Sequence, residues 1–262
     1  MRAYIEFAVK KFRNQTAYRM DCFMGILDTV FTFIVYCSIY KALYGERSEV
    51  DGVTYSMVVT NFIISLGLSK AFSFNEMFLP DKINWGEIGN ELLRPVSFRL
   101  RLLSENIGEG IFKLIFNFAP SVIFAILTTG VLPPSSALNV VLMVISAALG
   151  YLILWELSFI VQTWCFWFCY VWGMIVMKNV IVNVLAGSMI PLWFMPEALR
   201  KVISFTPFGA IYFTPVQIYL GQIGGSEIAA CMLNQIVWIV ILFVIGDIFW
   251  KKGTKRLVVQ GG

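Results

Sequence analysis

The chain has 262 residues, 58% of them hydrophobic and only 14% charged, with a mean hydropathy of +0.77 and a formal net charge of +4. Soluble domains carry about 25% charged residues, so this composition excludes an ordinary water-soluble domain and points to a chain that crosses a membrane several times. With no histidine at all, an HExxH metal site is impossible, and no nucleic-acid partner is expected.

In chain order, residues 3–18 place Tyr4, Ile5, Ala8, Val9 and Phe12 on one helical face, with Glu6, Lys10 and Arg13 on the other. The pattern predicts an interfacial helix over 1–20, lying along the membrane surface with its cations near anionic lipid. The competing reading is a helix packed on the protein. No cleaved signal peptide is expected at this end. A span needs about 20 apolar residues. The first is predicted at 21–44 and the second at 53–72, with GERSEVDG turning between them.

A polar, basic island follows at 73–109. Trp85, Ile88 and Leu92 share one helical face there. Arg94 precedes Pro95, a proline suited to the first turn of a new helix. Val96, Leu100, Leu103 and Ile107 then form a stripe, with Arg94, Arg101 and Glu105 largely off it. This reads as short amphipathic helices joining the membrane ends of two spans and exposing a charged face. Docking of a soluble partner and simple burial in the lipid interface are both open on these residues.

The third span is predicted at 110–131, ended by Pro133-Pro134, and the fourth begins near Leu138. From there the chain stays apolar to Met177; as one helix that would run about 60 Å at ~1.5 Å per residue, so a turn is placed within 162–178. The fifth span is predicted at 176–194. Region 187–228 carries Pro191, Pro196, Pro207 and Pro215, which no uninterrupted helix survives; a re-entrant or interfacial hairpin is expected. The sixth span is predicted at 229–250, followed by the tail KKGTKR. With the N-terminus inside, only Lys41, Arg47, Arg200 and Lys201 of the 20 Lys and Arg fall outside, so six spans with both termini cytoplasmic follow from the basic-residue rule. The fold class is therefore an all-α membrane protein, read as one transmembrane domain over 1–262.

The five cysteines lie in or at the edge of apolar runs, and the Cys165/Cys169 pair lacks further ligands for a metal. Asp28, Glu156 and Asp247 fall in or near spans one, four and six. Intramembrane carboxylates face a bundle interior or a watery cavity. The readings are a proton relay, interhelical hydrogen bonds, or an inner gate of Asp28, Glu156 and Lys178 in which Glu156 pairs with Lys178. Asn61, Asn117, Gln162, Asn179 and Asn183 could serve helix packing, the commoner role, or a polar pathway. Trp164, Phe166, Trp167, Phe168, Tyr170 and Trp172 could stack on a substrate, although such a cluster is more often an interfacial belt.

AYRMD before the first span, IGNELLRPVSFRL in the island, LAGSMIPLWFMPEALRKVISFTPF after the fifth span and the short basic tail together resemble the membrane subunit of a bacterial ATP-binding-cassette exporter. The class is the type-2 permeases of about this length that accompany drug, antibiotic or peptide export ATPases. The resemblance implies a half-transporter in the bacterial cytoplasmic membrane. Its coupling helix carries onto roughly Glu87–Arg101, with Glu87, Glu91, Leu92, Leu93, Arg94, Pro95, Val96, Phe98 and Arg101 as coupling residues. It also implies that the N-terminal helix leans on the ATPase and that the proline-rich hairpin lines or caps the exit. The implied partners are a P-loop ATPase, which would bind the ATP and Mg, and a second permease subunit, related or identical. The chain has no Gly-Lys dipeptide and so no P-loop of its own. An ion-gradient-driven secondary transporter is the alternative, although no internal repeat supports it; an intramembrane enzyme has no catalytic constellation. The transported substrate is not legible.

Overall fold

The computed structural model describes residues 2–17, 19–47, 49–50 and 52–257. Tyr18 of the AYRMD motif and the side chains of Arg19 and Asp21 lie outside the described residues. Helix α1 (Arg2–Thr16) is followed by α2 (Arg19–Tyr44) and a small antiparallel hairpin pairing Glu49–Val50 with Val53–Thr54. The order then runs α3 (Tyr55–Ala71), α4 (Phe78–Asn84), α5 (Ile88–Leu92), α6 (Phe98–Lys113), a π turn (Leu114–Phe118) and α7 (Ala119–Thr129). Next come α8 (Ala137–Thr163), α9 (Trp172–Leu185), α10 (Glu197–Phe205), α11 (Phe213–Leu220) and α12 (Gly225–Thr254).

Four helical stretches have the length and apolarity to cross a bilayer: Cys22–Tyr44, Phe98–Thr129, Ala137–Phe166 and Gly225–Thr254. The six-span expectation thus resolves into four long helices and two shorter ones. The predicted second span is α3, which starts only at Tyr55 because the β-hairpin consumes the residues before it. Its 17 residues reach about 26 Å, against a hydrocarbon core of ~30 Å. The predicted fifth span is α9, whose 14 residues stop before Pro191. Neither α3 nor α9 meets the length of a full span.

The third span also differs from its predicted bounds. It is continuous with the second helix of the island, giving one stretch of 32 residues, about 48 Å long. Pro120 explains the π turn within it. A proline lacks the N–H that would bond the carbonyl four residues back and its ring clashes with that carbonyl; widening the ladder relieves the clash. The carbonyl of Phe116 instead faces the Cys22 thiol at 3.8 Å, and the Ser121 hydroxyl donates to Asn117 O at 2.8 Å. The turn between α8 and α9 falls at 164–171, inside the predicted window.

Helix α3 sits at the centre. Val58, Val59, Phe62, Ile63 and Leu66 are buried along it, with Phe33 of α2, Ala125 of α7, Ile153 of α8 and Val216 of α11 in the same core. A second apolar cluster joins Leu79, Ile88, Phe98, Leu102, Trp155 and Phe159 beneath the island. The outer faces of α2 (Phe23, Leu27, Phe31) and α12 (Leu233, Val237, Val240, Val244) are exposed and apolar, the surface a hydrocarbon solvent covers. Helices α2, α3, the π turn and α7 pack together, with α1 lying along α6; α8 carries α9, α11 and α12, and α11 ties this side to α3.

Helix α1 lies against α6, its inward stripe formed by Tyr4, Phe7, Ala8, Lys11 and Phe12. Gly108 permits this approach, since a Cβ there would lie 2.1 Å from the Ala8 carbonyl oxygen. Ile5 and Val9, predicted on the same face as Tyr4, remain exposed. The helix therefore has two apolar edges, one on the protein and one turned away from it.

Candidate coupling site

The island is built from short pieces. Helix α4 ends at Asn84, and Glu87 N–H bonds back to Lys82 O at 2.8 Å while the Lys82 ammonium and Glu87 carboxylate close the turn as an ion pair. After α5, residues 93–97 run without helix. Pro95 does not open α6; Ser97 does, its hydroxyl accepting from Leu100 N–H at 3.5 Å. Side-chain capping of this kind fixes a helix start better than a nearby proline. Tyr4 of α1 reaches in, its hydroxyl accepting from Ser97 N–H at 3.2 Å.

The predicted coupling residues separate into two layers. Glu87, Leu92, Leu93, Arg94 and Pro95 are exposed, Leu93 at 84%, and Trp85 beside them at 71%. Val96 is half-buried. Glu91, Phe98 and Arg101 are buried beneath. Arg101, expected on an exposed charged face, is instead ion-paired with Glu91, bonds Glu105 at 3.2 Å, and lies 5.6 Å from the Phe98 ring and 5.8 Å from the Phe7 ring. Glu91 also receives Arg94 at 3.4 Å. The predicted stripe shifts too: Leu100 is exposed, while Phe98, Arg99, Arg101 and Leu102 face inward. More than one face of α6 is covered: Arg101 meets Phe7 of α1, and Arg99 meets Glu156 of α8 and Phe243 of α12.

Residues 29–261 match the family model described as ABC-2 family transporter protein. The chain belongs to the ABC-2 transporter family. A search of curated proteins finds no match. The family and the long apolar helices make this a multi-pass membrane protein, of a kind that pairs with an ATPase subunit.

In this ABC-2 protein the expected gate residues fall into three separate pairs. Asp28 of α2 meets Lys70 of α3 at a half-open position. Glu156 of α8 pairs with Arg99 of α6 rather than with Lys178. Lys178 of α9 pairs with Glu76, from the crossing after α3, and donates to Ser158 Oγ at 2.9 Å. The pairing of Glu156 with Lys178 is thus replaced by two pairs, because Glu156 faces α6 and α12 while Lys178 faces the 73–77 crossing. Arg99 also donates to the Phe243 carbonyl at 3.1 Å and lies 4.1 Å from the Phe243 ring, so it joins α6, α8 and α12.

Glu76 and Arg99 are the functional candidates that sequence reasoning missed. Arg99 stands at three-, four- and seven-residue spacing from Leu102, Leu103 and Asn106, a pattern that marks it as sharing their helical face. Glu76 gave no such signal. The Glu76–Lys178 pair borders a polar cavity of about 270 Å3 that Lys70, Ser73, Asn179 and Asn183 also line. The aromatic cluster divides as well: Trp164, Phe166 and Trp167 pack on Phe249 and Trp250 of α12, while Phe168, Tyr170 and Trp172 are exposed. Among the described residues no group of three His, Cys, Asp or Glu gathers to hold a metal ion.

Proposed function

We propose that this chain is the permease subunit of an ATP-driven exporter in the bacterial cytoplasmic membrane. It would form half of the translocation pathway with a second permease subunit and take its energy from a separate ATPase that binds the ATP and Mg. The observation that carries the reading is the exposed tip formed by Trp85, Leu92, Leu93 and Arg94. Large apolar side chains standing out of a polar loop mark a protein or a membrane contact, and Trp with Arg, the residue types that dominate protein contacts, favour the first. The buried Glu91–Arg101 pair beneath makes the tip a rigid pin rather than a tether. In this reading the tip is the coupling helix, both termini are cytoplasmic, and α1 leans on the same ATPase.

The Glu76–Lys178 and Arg99–Glu156 pairs then form the inner end of the pathway. An ion-gradient carrier would need a buried group free to titrate, and both of these buried carboxylates are held by a cation. The test is co-purification in detergent of Leu93→Asp and Trp85→Ala with the ATPase that the unaltered chain retains. We expect each variant to insert normally and to retain much less ATPase. Retention equal to the unaltered chain would remove the tip from the contact.

A further inference from the structure

Helix α12 meets the island near its C-terminal end, where Trp250 stacks on Phe98 at 4.9 Å. At its opposite end a cleft of about 350 Å3 opens between α10, α11 and the first turns of α12, within the ~300–1,000 Å3 of small-ligand sites. Its walls are pinned together. Asn234 Nδ2 of α12 donates to Ser204 O at 3.4 Å and Trp238 Nε1 to Phe205 O at 3.0 Å, so side chains of α12 take up the last carbonyls of α10. Leu192, Ala210 and Phe213 give the cleft an apolar part. Two polar side chains of the lining are left over. Arg200 is exposed, and its guanidinium has no ion pair or hydrogen bond among the described residues, whereas the adjacent Lys201 is paired with Glu197 at 2.6 Å. Gln217 is half-buried, and its amide likewise makes no hydrogen bond among the described residues. The lining hydroxyls are already committed: Ser204 Oγ donates to Lys201 O at 2.7 Å and Thr214 Oγ1 to Gly209 O at 3.3 Å. Glu227, one turn before Cys231, accepts from Gly224 N–H at 3.0 Å. Arg200 is thus the one charged side chain that lines the cleft among the described residues.

We infer that this cleft binds the headgroup of an anionic phospholipid, its phosphate accepting from the Arg200 guanidinium and the Gln217 amide. Charge chooses the ligand: the lining presents a single cation, and a guanidinium meets phosphate through paired N–H donors. Depth chooses a lipid as its source. Helix α12 has 30 residues, about 45 Å, and centred on a ~30 Å hydrocarbon core it leaves about 7 Å at each end. Ala230 of the lining, about 7 Å in from Gly225, stands at that boundary, where headgroups begin. Helix α10 suits the same level, with Leu199, Val202 and Phe205 exposed and apolar beside the charged Glu197, Arg200 and Lys201, the pattern of a helix lying in the interface. From Ala230 the exposed side chains Leu233, Val237 and Val240 continue down α12 at three- and four-residue spacing, a track for the acyl chains below the headgroup. A protein partner seated here would have to bring a carboxylate to Arg200 or bury that charge unpaired, which is costly. The inference stands independently of the ATPase contact.

The experiment titrates the purified full chain in detergent with phosphatidylglycerol and reads bound lipid by native mass spectrometry. Diacylglycerol, which lacks the phosphate, and glycerol 1-phosphate, which lacks the tails, are titrated alongside. Arg200→Gln should weaken phosphatidylglycerol binding about tenfold and Gln217→Leu about fivefold, the worth of one hydrogen bond to a charged group in each case. Lys201→Gln, which removes the neighbouring exposed cation, should change it by less than about twofold. All three variants should stay monodisperse, since none touches the bonds that pin α10 to α12. Equal weakening in Lys201→Gln and Arg200→Gln would mean diffuse surface charge and overturn the site. An affinity untouched by Gln217→Leu would overturn the two-point grip. Diacylglycerol binding as tightly as phosphatidylglycerol would overturn recognition of the phosphate, and glycerol 1-phosphate doing so would overturn the lipid as its source. Loss of a complex between copies of the chain in Arg200→Gln, with lipid binding unchanged, would hand the cleft to a second subunit and overturn the proposal.

Discussion

Arg94 and Arg101 carry the same charge in the same segment, and substitution should separate their roles. The Arg94 side chain is 46% exposed and the Arg101 side chain 6%. Reversing Arg94 removes a half-exposed ion pair worth about 0–1 kcal/mol, so Arg94→Glu should insert and purify as well as the unaltered chain while losing ATPase. Arg101→Glu leaves Glu91 buried against a like charge, and breaking a buried pair costs about 3–5 kcal/mol. Its expected outcome is a lower melting temperature and lower yield, with the combined Glu91→Arg/Arg101→Glu exchange recovering part of the loss. Thermal unfolding of all three variants in one detergent checks this, and equal melting temperatures for Arg94→Glu and Arg101→Glu would sink the layered description. The type and spacing of these residues were legible in the sequence. Which of them face inward was not, because the packing of α1, α8 and α12 around α6 decides it, and those neighbours are distant in sequence.

At the scale of elements, the seating of α1 on α6 rests on a backbone contact more than on charge. Phe12 meets Phe112 edge-on at 5.7 Å, and the Gly108 backbone touches that of Ala8. Gly108→Leu would force the helices apart, since the obstructing atom is a carbonyl and not the end of a flexible chain. Lys11→Ala removes only a 3.2 Å pair with a partly exposed lysine, worth less than about 1 kcal/mol, and Glu109 keeps Lys113 at 2.8 Å. Limited proteolysis reads the difference: cleavage within α1 should rise strongly in Gly108→Leu and barely in Lys11→Ala, and equal protection in both would refute close helix packing. The sequence showed α1 as amphipathic but gave two competing surfaces for its apolar face. The helix has two apolar edges, and periodicity alone does not say which one meets protein. The same limit explains the third span: hydropathy marks where a helix becomes apolar, not where it begins, so its continuity back to Phe98 was hidden.

Across the whole molecule, the two buried ion pairs tie α6 and the crossing after α3 to α8 and α9. Arg99 belongs to α6, and its partner Glu156 to α8. Glu76 follows α3, and its partner Lys178 belongs to α9. Both bridges stand at the island end, close to the pin that carries the exposed tip. If the tip is the ATPase contact proposed above, its displacement would be passed to α8, α9 and α12 through these charges, whose separation in a low-dielectric interior is costly. This gives a test that distinguishes holding the fold from passing on the ATP cycle. Single removal, as in Lys178→Met, strands Glu76 as a buried charge and should destabilise the protein. Replacing a whole buried pair by apolar residues of similar volume is often neutral or stabilising, so Glu76→Leu combined with Lys178→Met should recover the melting temperature. If the bridges serve only packing, transport in reconstituted vesicles recovers with it. If they transmit motion, the double variant keeps its ATPase bound and hydrolysing, yet ATP-driven transport stays at least about tenfold down, a loss of roughly 1.4 kcal/mol of coupling. We expect the second outcome, because the pair ties the crossing after α3 to α9 at the end of the bundle that carries the island. Full transport in the stable double variant would refute it.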